Sequence, residues 1–82
     1  MKANIIYDPR YKAIISRLVQ ARKSAGLTQE ELARKLGLQQ PELSRIEKLD
    51  RQIDLIEFLD WIKATGIAEF AVIAKALEAA ND

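Results

Sequence analysis

Apolar residues recur along most of this chain at intervals of three and four, which is the spacing of an amphipathic helix. The first stripe follows Asp8-Pro9, a pairing that supplies a helix N-cap and a proline at the first helical position. The pattern predicts a first helix over about residues 9–25, before Gly26. The apolar positions of this helix are Ile14, Leu18, Ala21 and Ala25.

Two shorter helices are predicted next, with a break of only three or four residues between them. Thr28 and Glu31 have the spacing of a capping box and start a second helix over about 29–36. A third helix follows over about 40–48. Such closely spaced helices must cross at short range.

The last third of the chain predicts two more helices. Asp54 and Glu57 repeat the capping-box spacing, so a fourth helix is expected over about 55–65, and a fifth over about 68–80. The fourth carries an apolar stripe with Trp61 beside it: Leu55, Ile56, Phe58, Leu59 and Ile62. Within the N-terminal arm, residues 1–7, only "NIIY" has a strand-like pattern. The prediction is one compact all-α domain of five helices over residues 1–82.

Composition narrows the chemistry. The chain has no cysteine and no histidine, so the commonest nucleophiles, general bases and zinc ligands are missing. We expect no enzyme, no metal, no cofactor and no small-molecule ligand. No apolar run is long enough to cross a membrane, and the first residues do not form a signal peptide, so a cytoplasmic protein is expected.

The net charge of +1 conceals an asymmetry. Residues 1–48 contain ten Lys and Arg against five Asp and Glu, whereas residues 49–82 contain three against seven. A basic half joined to an acidic half suggests a surface for a polyanion and a separate role for the remainder. Chance clustering of solvated charges is the alternative.

The junction between the second and third helices has the residues of a helix-turn-helix. Ala33 is small where the helices would cross, and Gly37 can take positive φ in the turn. Leu38 can pack beneath both helices, and Leu43 and Ile46 can anchor the third helix. The stretch "GLTQEELARKLGLQQPELSRIE" resembles the phage-repressor and Cro-like family, also called the XRE family, of bacterial and phage DNA-binding proteins. The resemblance covers about residues 14–66 and implies a lambda-repressor-like fold.

The resemblance implies a sequence-specific regulator of transcription, a repressor, that reads double-stranded DNA with its third helix in the major groove. Carried onto this chain, the base-reading positions are Gln39, Gln40, Pro41, Glu42 and Arg45. A glutamine amide can bond adenine through two hydrogen bonds, and Arg45 can reach guanine or a phosphate. Glu42 could accept from cytosine or repel phosphate; it could also be an ordinary surface residue, as could Gln40.

The resemblance also implies contacts to phosphate. Gln29 matches a family glutamine that contacts phosphate and braces the reading glutamine, here Gln40. The remaining phosphate candidates are Thr28, Lys23, Lys48 and Arg51. Arg22 and Glu47 match a structural ion pair of the family, which we favour over a direct DNA role for Arg22.

Two departures from the family pattern affect the third helix. Gln39 stands where Ser or Thr commonly caps the helix, and Lys48-Leu49 replaces a common Asn-Gly. We expect Leu49 to pack inward. Pro41 sacrifices no helical hydrogen bond in the first turn, but it biases Gln40 away from helical angles, so the helix is expected to begin properly at Pro41.

The apolar content of the acidic half exceeds what a small core should bury, so part of it is expected on the surface. We expect a homodimer through the fourth and fifth helices, or through the N-terminal arm. The candidate interface residues are Trp61, Phe70, Ile73 and Leu77. The alternative function is an antitoxin-like module that binds a toxin protein through this half and can also bind its own operator.

Overall fold

The fold is all-helical, as the apolar periodicity predicts, and five α-helices are confirmed in a computed structural model that describes residues 4–80. The helices are α1 (Pro9–Ser24), α2 (Gln29–Leu36), α3 (Gln40–Glu47), α4 (Leu55–Thr65) and α5 (Glu69–Ala80). A single 3₁₀ turn, Ile5–Tyr7, precedes α1. The strand-like reading of "NIIY" is wrong, because the Asn4 side chain accepts a hydrogen bond from the Ile6 amide at 3.0 Å and closes a turn.

Side chains close to the helix N-termini fix where the helices begin. In α1 the Asp8 carboxylate accepts from the Arg10 amide at 2.8 Å. In α2 the Thr28 hydroxyl accepts from the Glu31 amide at 3.0 Å, and the Glu31 carboxylate accepts from the Thr28 amide at 2.9 Å. Asp54 and Glu57 repeat this arrangement in α4. These bonds satisfy amides that have no partner inside the helix.

The core forms where the first four helices meet. Five of its side chains are 0% exposed: Leu18, Leu32, Leu43, Ile46 and Trp61. The fifth helix lies along α1, with Val72 and Ala76 on its buried side. This packing holds α3 at one side of the molecule, since only its Leu43 and Ile46 positions are fully buried.

The fourth helix is turned differently from the apolar stripe that the sequence suggested. Trp61 is 0% exposed, and its indole Nε1 donates to the Leu18 carbonyl of α1 at 2.9 Å. Leu55, Ile56 and Leu59 are 71, 63 and 51% exposed. The expectation that Trp61 lines a dimer interface is therefore wrong. The indole is large enough to fill the centre of the core and needs a partner for its N–H, so it faces inward at the expense of the smaller side chains.

The chain leaves α3 through a residue with left-handed backbone angles. Leu49 has φ of +66°, and the amide of Asp50 donates to the Arg45 carbonyl at 2.8 Å, which closes the helix end. Leu49 packs partly against the core, as expected from the sequence. Further along, the Ile53 amide donates to the buried Tyr11 hydroxyl at 3.0 Å, which fixes the segment before α4.

Candidate nucleic-acid interface

The second and third helices are joined by a tight turn. Gly37 has φ of +73°, which a side-chain-bearing residue adopts only with strain, and the Leu38 amide donates to the Ala33 carbonyl at 2.8 Å. Ala33 is 1% exposed at the crossing of the two helices. The turn leaves the first residues of α3 on the surface, beside the start of α2.

The start of α3 is capped from within the helix. The Gln39 side chain makes no capping hydrogen bond, and the Glu42 carboxylate accepts from the Gln39 amide at 3.1 Å instead. Pro41 occupies the second helical position, where no intrahelical bond is lost. The helix includes Gln40, so the expectation that it begins properly at Pro41 is wrong. Pro41 disfavours helical angles at Gln40, and the hydrogen bond from the Gln39 amide to Glu42 offsets this cost.

A partly buried ion pair joins α1 to the last residue of α3. The Arg22 Nε donates to Glu47 Oε2 at 2.7 Å and its Nη2 donates to Glu47 Oε1 at 3.1 Å. The third donor, Nη1, reaches the Leu27 carbonyl at 2.8 Å. The side chains of Arg22 and Glu47 are only 11 and 7% exposed. Removing one partner of such a pair costs about 3–5 kcal/mol, because a buried charge is left uncompensated.

Gln29 extends this pair to the exposed tip of α3. Its Nε2 donates to Glu47 Oε1 at 2.8 Å, and its Oε1 accepts from Gln40 Nε2 at 2.8 Å. Gln40 and Glu47 are seven residues apart, so they lie on one face of α3, two turns apart. Gln29 spans the distance between them from the first position of α2. The exposed Gln40 amide is therefore held by Gln29, which is held by Glu47. Glu47 is in turn paired with Arg22 of α1.

The structure places the predicted base-reading side chains in two groups. Gln39, Gln40, Pro41 and Arg45 are exposed on α3 or at its N-cap. Glu42 is half-buried, and its carboxylate serves the Gln39 amide. The role of Glu42 that the structure shows is to cap α3.

The predicted phosphate contacts lie toward opposite ends of α3. Thr28 and Gln29 sit at the N-terminus of α2, near Gln40, where amides and the helix dipole favour an anion. The Thr28 hydroxyl accepts from Glu31 within the capping box, and it can still donate its hydrogen to a phosphate. Lys48 is exposed at the C-cap of α3, and Lys23 is exposed in the last turn of α1.

Arg51 is held by the protein itself, and its assignment to phosphate binding stays a prediction. Its Nη1 and Nη2 donate to the two Glu57 carboxylate oxygens, each at 2.9 Å. The Glu42 carboxylate lies 3.9 Å away. The Arg51 guanidinium lowers the pKa of Glu57, partial burial opposes this shift, and the Asp54 amide adds to it. A guanidinium bound through both Nη1 and Nη2 is costly to redirect to DNA.

Sequence reasoning missed Glu57 as a functional partner, although it identified this residue as part of a capping box. The same carboxylate accepts from the Asp54 amide at 3.0 Å and binds Arg51. The sequence places Arg51 three residues before Asp54, close to the first turn of α4, but this spacing does not say which carboxylate Arg51 binds. Arg51 lies between the carboxylates of Glu42 and Glu57, and it thereby connects the first turns of α3 and α4.

Within residues 4–80, no cluster of acidic or other ligating side chains is arranged to hold a metal ion. Over the same residues, no helix is long and apolar enough to span a bilayer. The surface around α3 offers amide, guanidinium and ammonium groups, together with the N-terminus of α2. These are the groups that contact DNA bases and phosphates.

A short exposed helix that crosses a second helix through a tight turn, with amide and cationic side chains along it, defines a DNA-binding helix-turn-helix. A family model described as helix-turn-helix matches residues 18–70, more than half of the chain. The protein belongs to this family, and the resemblance to the phage-repressor and Cro-like (XRE) regulators is confirmed. It is a DNA-binding transcription regulator, and the domain is not one that typically carries an enzyme activity. No curated protein matches the chain as a relative.

Proposed function

We propose that this regulator is a repressor that reads a specific double-stranded DNA site with α3 in the major groove. Gln40 and Arg45 make the base contacts, and Thr28, Gln29, Lys23 and Lys48 contact phosphates. The observation that carries the proposal is the Gln40 amide, which is exposed at the tip of α3 yet held at 2.8 Å by Gln29. A surface glutamine without a binding role has no need of such support, because ordering its side chain costs entropy.

Selection of bound sequences from a random DNA pool tests the proposal. We expect one enriched half-site motif, and we expect affinity to fall with salt at a slope of about −0.9 per neutralised phosphate. Gln40→Ala should flatten the preference at one base position, whereas Lys48→Ala should weaken all sequences alike. A pool that shows no enrichment, or an enrichment that Gln40→Ala leaves unchanged, contradicts base reading by α3.

Repression is a separate claim and needs its own measurement. A reporter placed behind the selected site should be expressed less when the protein is present, because an occupied site excludes polymerase. Loss of this effect in Gln40→Ala, with the protein level unchanged, would tie repression to base reading. Higher reporter expression with the wild-type protein would identify an activator instead.

We further propose that the protein binds its site as a homodimer. One small module offers few base contacts, and a second linked module raises the overall affinity. Apolar side chains suited to self-association are exposed on α4 and α5: Leu55, Ile56, Leu59, Ile73 and Leu77. The side chain of Phe70, which was also a candidate, lies outside the described residues.

A second candidate function is neutralisation of a toxin protein by the same half of the chain. The feature that favours it is charge: residues 49–82 contain seven Asp and Glu against three Lys and Arg, which suits a basic partner next to exposed apolar groups. Co-expression with the product of an adjacent gene decides the matter. Rescue from a growth defect caused by that product would support an antitoxin; an adjacent product that causes no such defect would not.

A further inference from the structure

Glu47 has a contact that its ion pair does not require. Besides the two bonds from Arg22, its Oε1 accepts the Gln29 Nε2 at 2.8 Å. The carboxylate is 7% exposed, so water contributes little to its hydrogen bonding. This third bond connects a buried charge to the side chain that supports Gln40.

The direction of each hydrogen bond in this chain follows from the carboxylate. An ionised Glu47 can only accept, so Gln29 must present its NH₂ group to it. The Gln29 carbonyl oxygen then faces Gln40, and that oxygen can only accept as well. Gln40 must therefore donate, which it does from Nε2 at 2.8 Å.

We propose that Glu47 is a positioning residue that sets the hydrogen-bond polarity of Gln40 and thereby selects adenine as the base it reads; the inference rests on the base reading proposed above. With one N–H committed to Gln29, Gln40 keeps its carbonyl oxygen and its second N–H. That acceptor and donor match the N6 amino group and N7 of adenine. Guanine presents two acceptors at the same edge, so one of them would meet the Gln40 oxygen.

Glu47→Gln should release the direction of these bonds. The new amide has one oxygen for the three donors that Glu47 accepts, so either its oxygen or its NH₂ can face Gln29. Gln29 and Gln40 can then adopt either orientation. In the reversed orientation the Gln40 oxygen accepts from Gln29, so the acceptor and the donor that face adenine exchange places. The preference for adenine should therefore weaken.

The test compares two DNA duplexes that differ at one position, the base pair whose preference Gln40→Ala flattens. The affinity ratio of the adenine duplex to the guanine duplex is measured for each variant at one salt concentration. For the wild type we expect a ratio of about tenfold or more, which is the discrimination of one bidentate contact. For Glu47→Gln we expect the ratio to fall toward one. Glu78→Gln, at an exposed carboxylate on α5 with the same change of charge, should keep the wild-type ratio.

A second variant covers the case in which Glu47→Gln does not fold. Gln29→Leu keeps the side-chain volume and leaves the Arg22–Glu47 pair intact, but it removes the bond that orients Gln40. We expect the ratio to approach one in this variant as well. Weaker binding to both duplexes is expected in addition, because Gln29 is also a phosphate candidate, and this loss does not affect the ratio.

The outcomes separate the inference from the proposed function. If Gln40→Ala flattens no position in the wild-type motif, base reading by α3 fails, and the inference with it. If Gln40→Ala flattens a position that selects a base other than adenine, or if Glu47→Gln and Gln29→Leu both keep the wild-type ratio, only the inference is overturned. A ratio that falls in both variants and stays high in Glu78→Gln supports it.

Discussion

Leu49 shows how a single backbone angle can conflict with the residue that adopts it. Its φ of +66° lies in the left-handed region, where a side chain costs about 1–2 kcal/mol, yet the leucine packs partly against the core. Gly37, at the end of α2, has φ of +73° without this strain, because glycine has no side chain. The contact of Leu49 therefore offsets its strain.

Replacement of Leu49 by alanine and by glycine separates these effects. Both variants lose the same packing, but only glycine relieves the strain, so Leu49→Gly should be more stable than Leu49→Ala by about 1 kcal/mol. Urea unfolding followed by circular dichroism measures the difference. At the exposed Gln20 inside α1, the order should reverse, because alanine is the better helix former there. The same order at both sites would contradict strain at Leu49.

The Arg51–Glu57 pair predicts a loss of stability in acid. The folded state holds the pKa of Glu57 below its ordinary value of 4.5, so the pair stabilises the fold above that pH. The stabilisation should disappear as pH falls from about 4.5 through the lowered pKa of the folded state. Glu57→Gln should lower the free energy of unfolding at pH 7 by about 2 kcal/mol and should lose less on acidification. Glu30→Gln, on an exposed side chain, is the control; an acid response of Glu57→Gln equal to that of the wild type would contradict the prediction.

At the scale of the helices, α4 is the element whose orientation matters most. Its buried side consists of Glu57, Trp61 and Ile62, and its outer side carries Leu59. The buried tryptophan connects α4 to α1 through the bond to the Leu18 carbonyl. Because α4 also packs on α2, it supports the helix that carries Gln29.

Two substitutions on α4 test this orientation. Trp61→Phe should destabilise the fold by about 2–3 kcal/mol, because a hydrogen bond and part of a fully buried side chain are lost. Leu59→Ala should change stability by no more than about 0.5 kcal/mol at protein concentrations where the chain is monomeric. Thermal unfolding monitored by circular dichroism gives both values. A larger effect at Leu59 than at Trp61 would mean that the helix is turned the other way.

At the scale of the whole molecule, the charge asymmetry follows the separation between the candidate DNA surface and the exposed apolar surface. The basic half includes α1, α2 and α3, with the candidate DNA surface, and the acidic half includes α4 and α5, with the exposed apolar groups. Repulsion between the acidic half and DNA phosphates favours DNA contact through the basic half. The proposed dimer and the proposed DNA contact therefore use different helices.

Aspartate substitutions locate the dimer surface. Leu59→Asp and Leu77→Asp each place a charge on an exposed apolar group, so the variant at the interface should sediment as a monomer at tens of micromolar and retain its helicity. It should also bind the selected site more weakly, since the linkage between half-sites is lost. Gln20→Asp adds the same charge to an exposed position on α1 and should leave the association unchanged. A wild-type chain that sediments as a monomer at this concentration would refute the homodimer.

The sequence by itself determined the helices and the family, because capping boxes, turn glycines and apolar spacing are local signals that act within a few residues. It also supplied Gln29, Gln40 and Glu47, through a resemblance that carries positions without distances. Only the tertiary structure decided that Trp61 faces inward while Leu59 faces solvent, since both fit an amphipathic pattern and packing volume chooses between them. It likewise decided the partner of Arg51. Ion pairs depend on which side chains the packed helices bring within reach, and no periodicity records that.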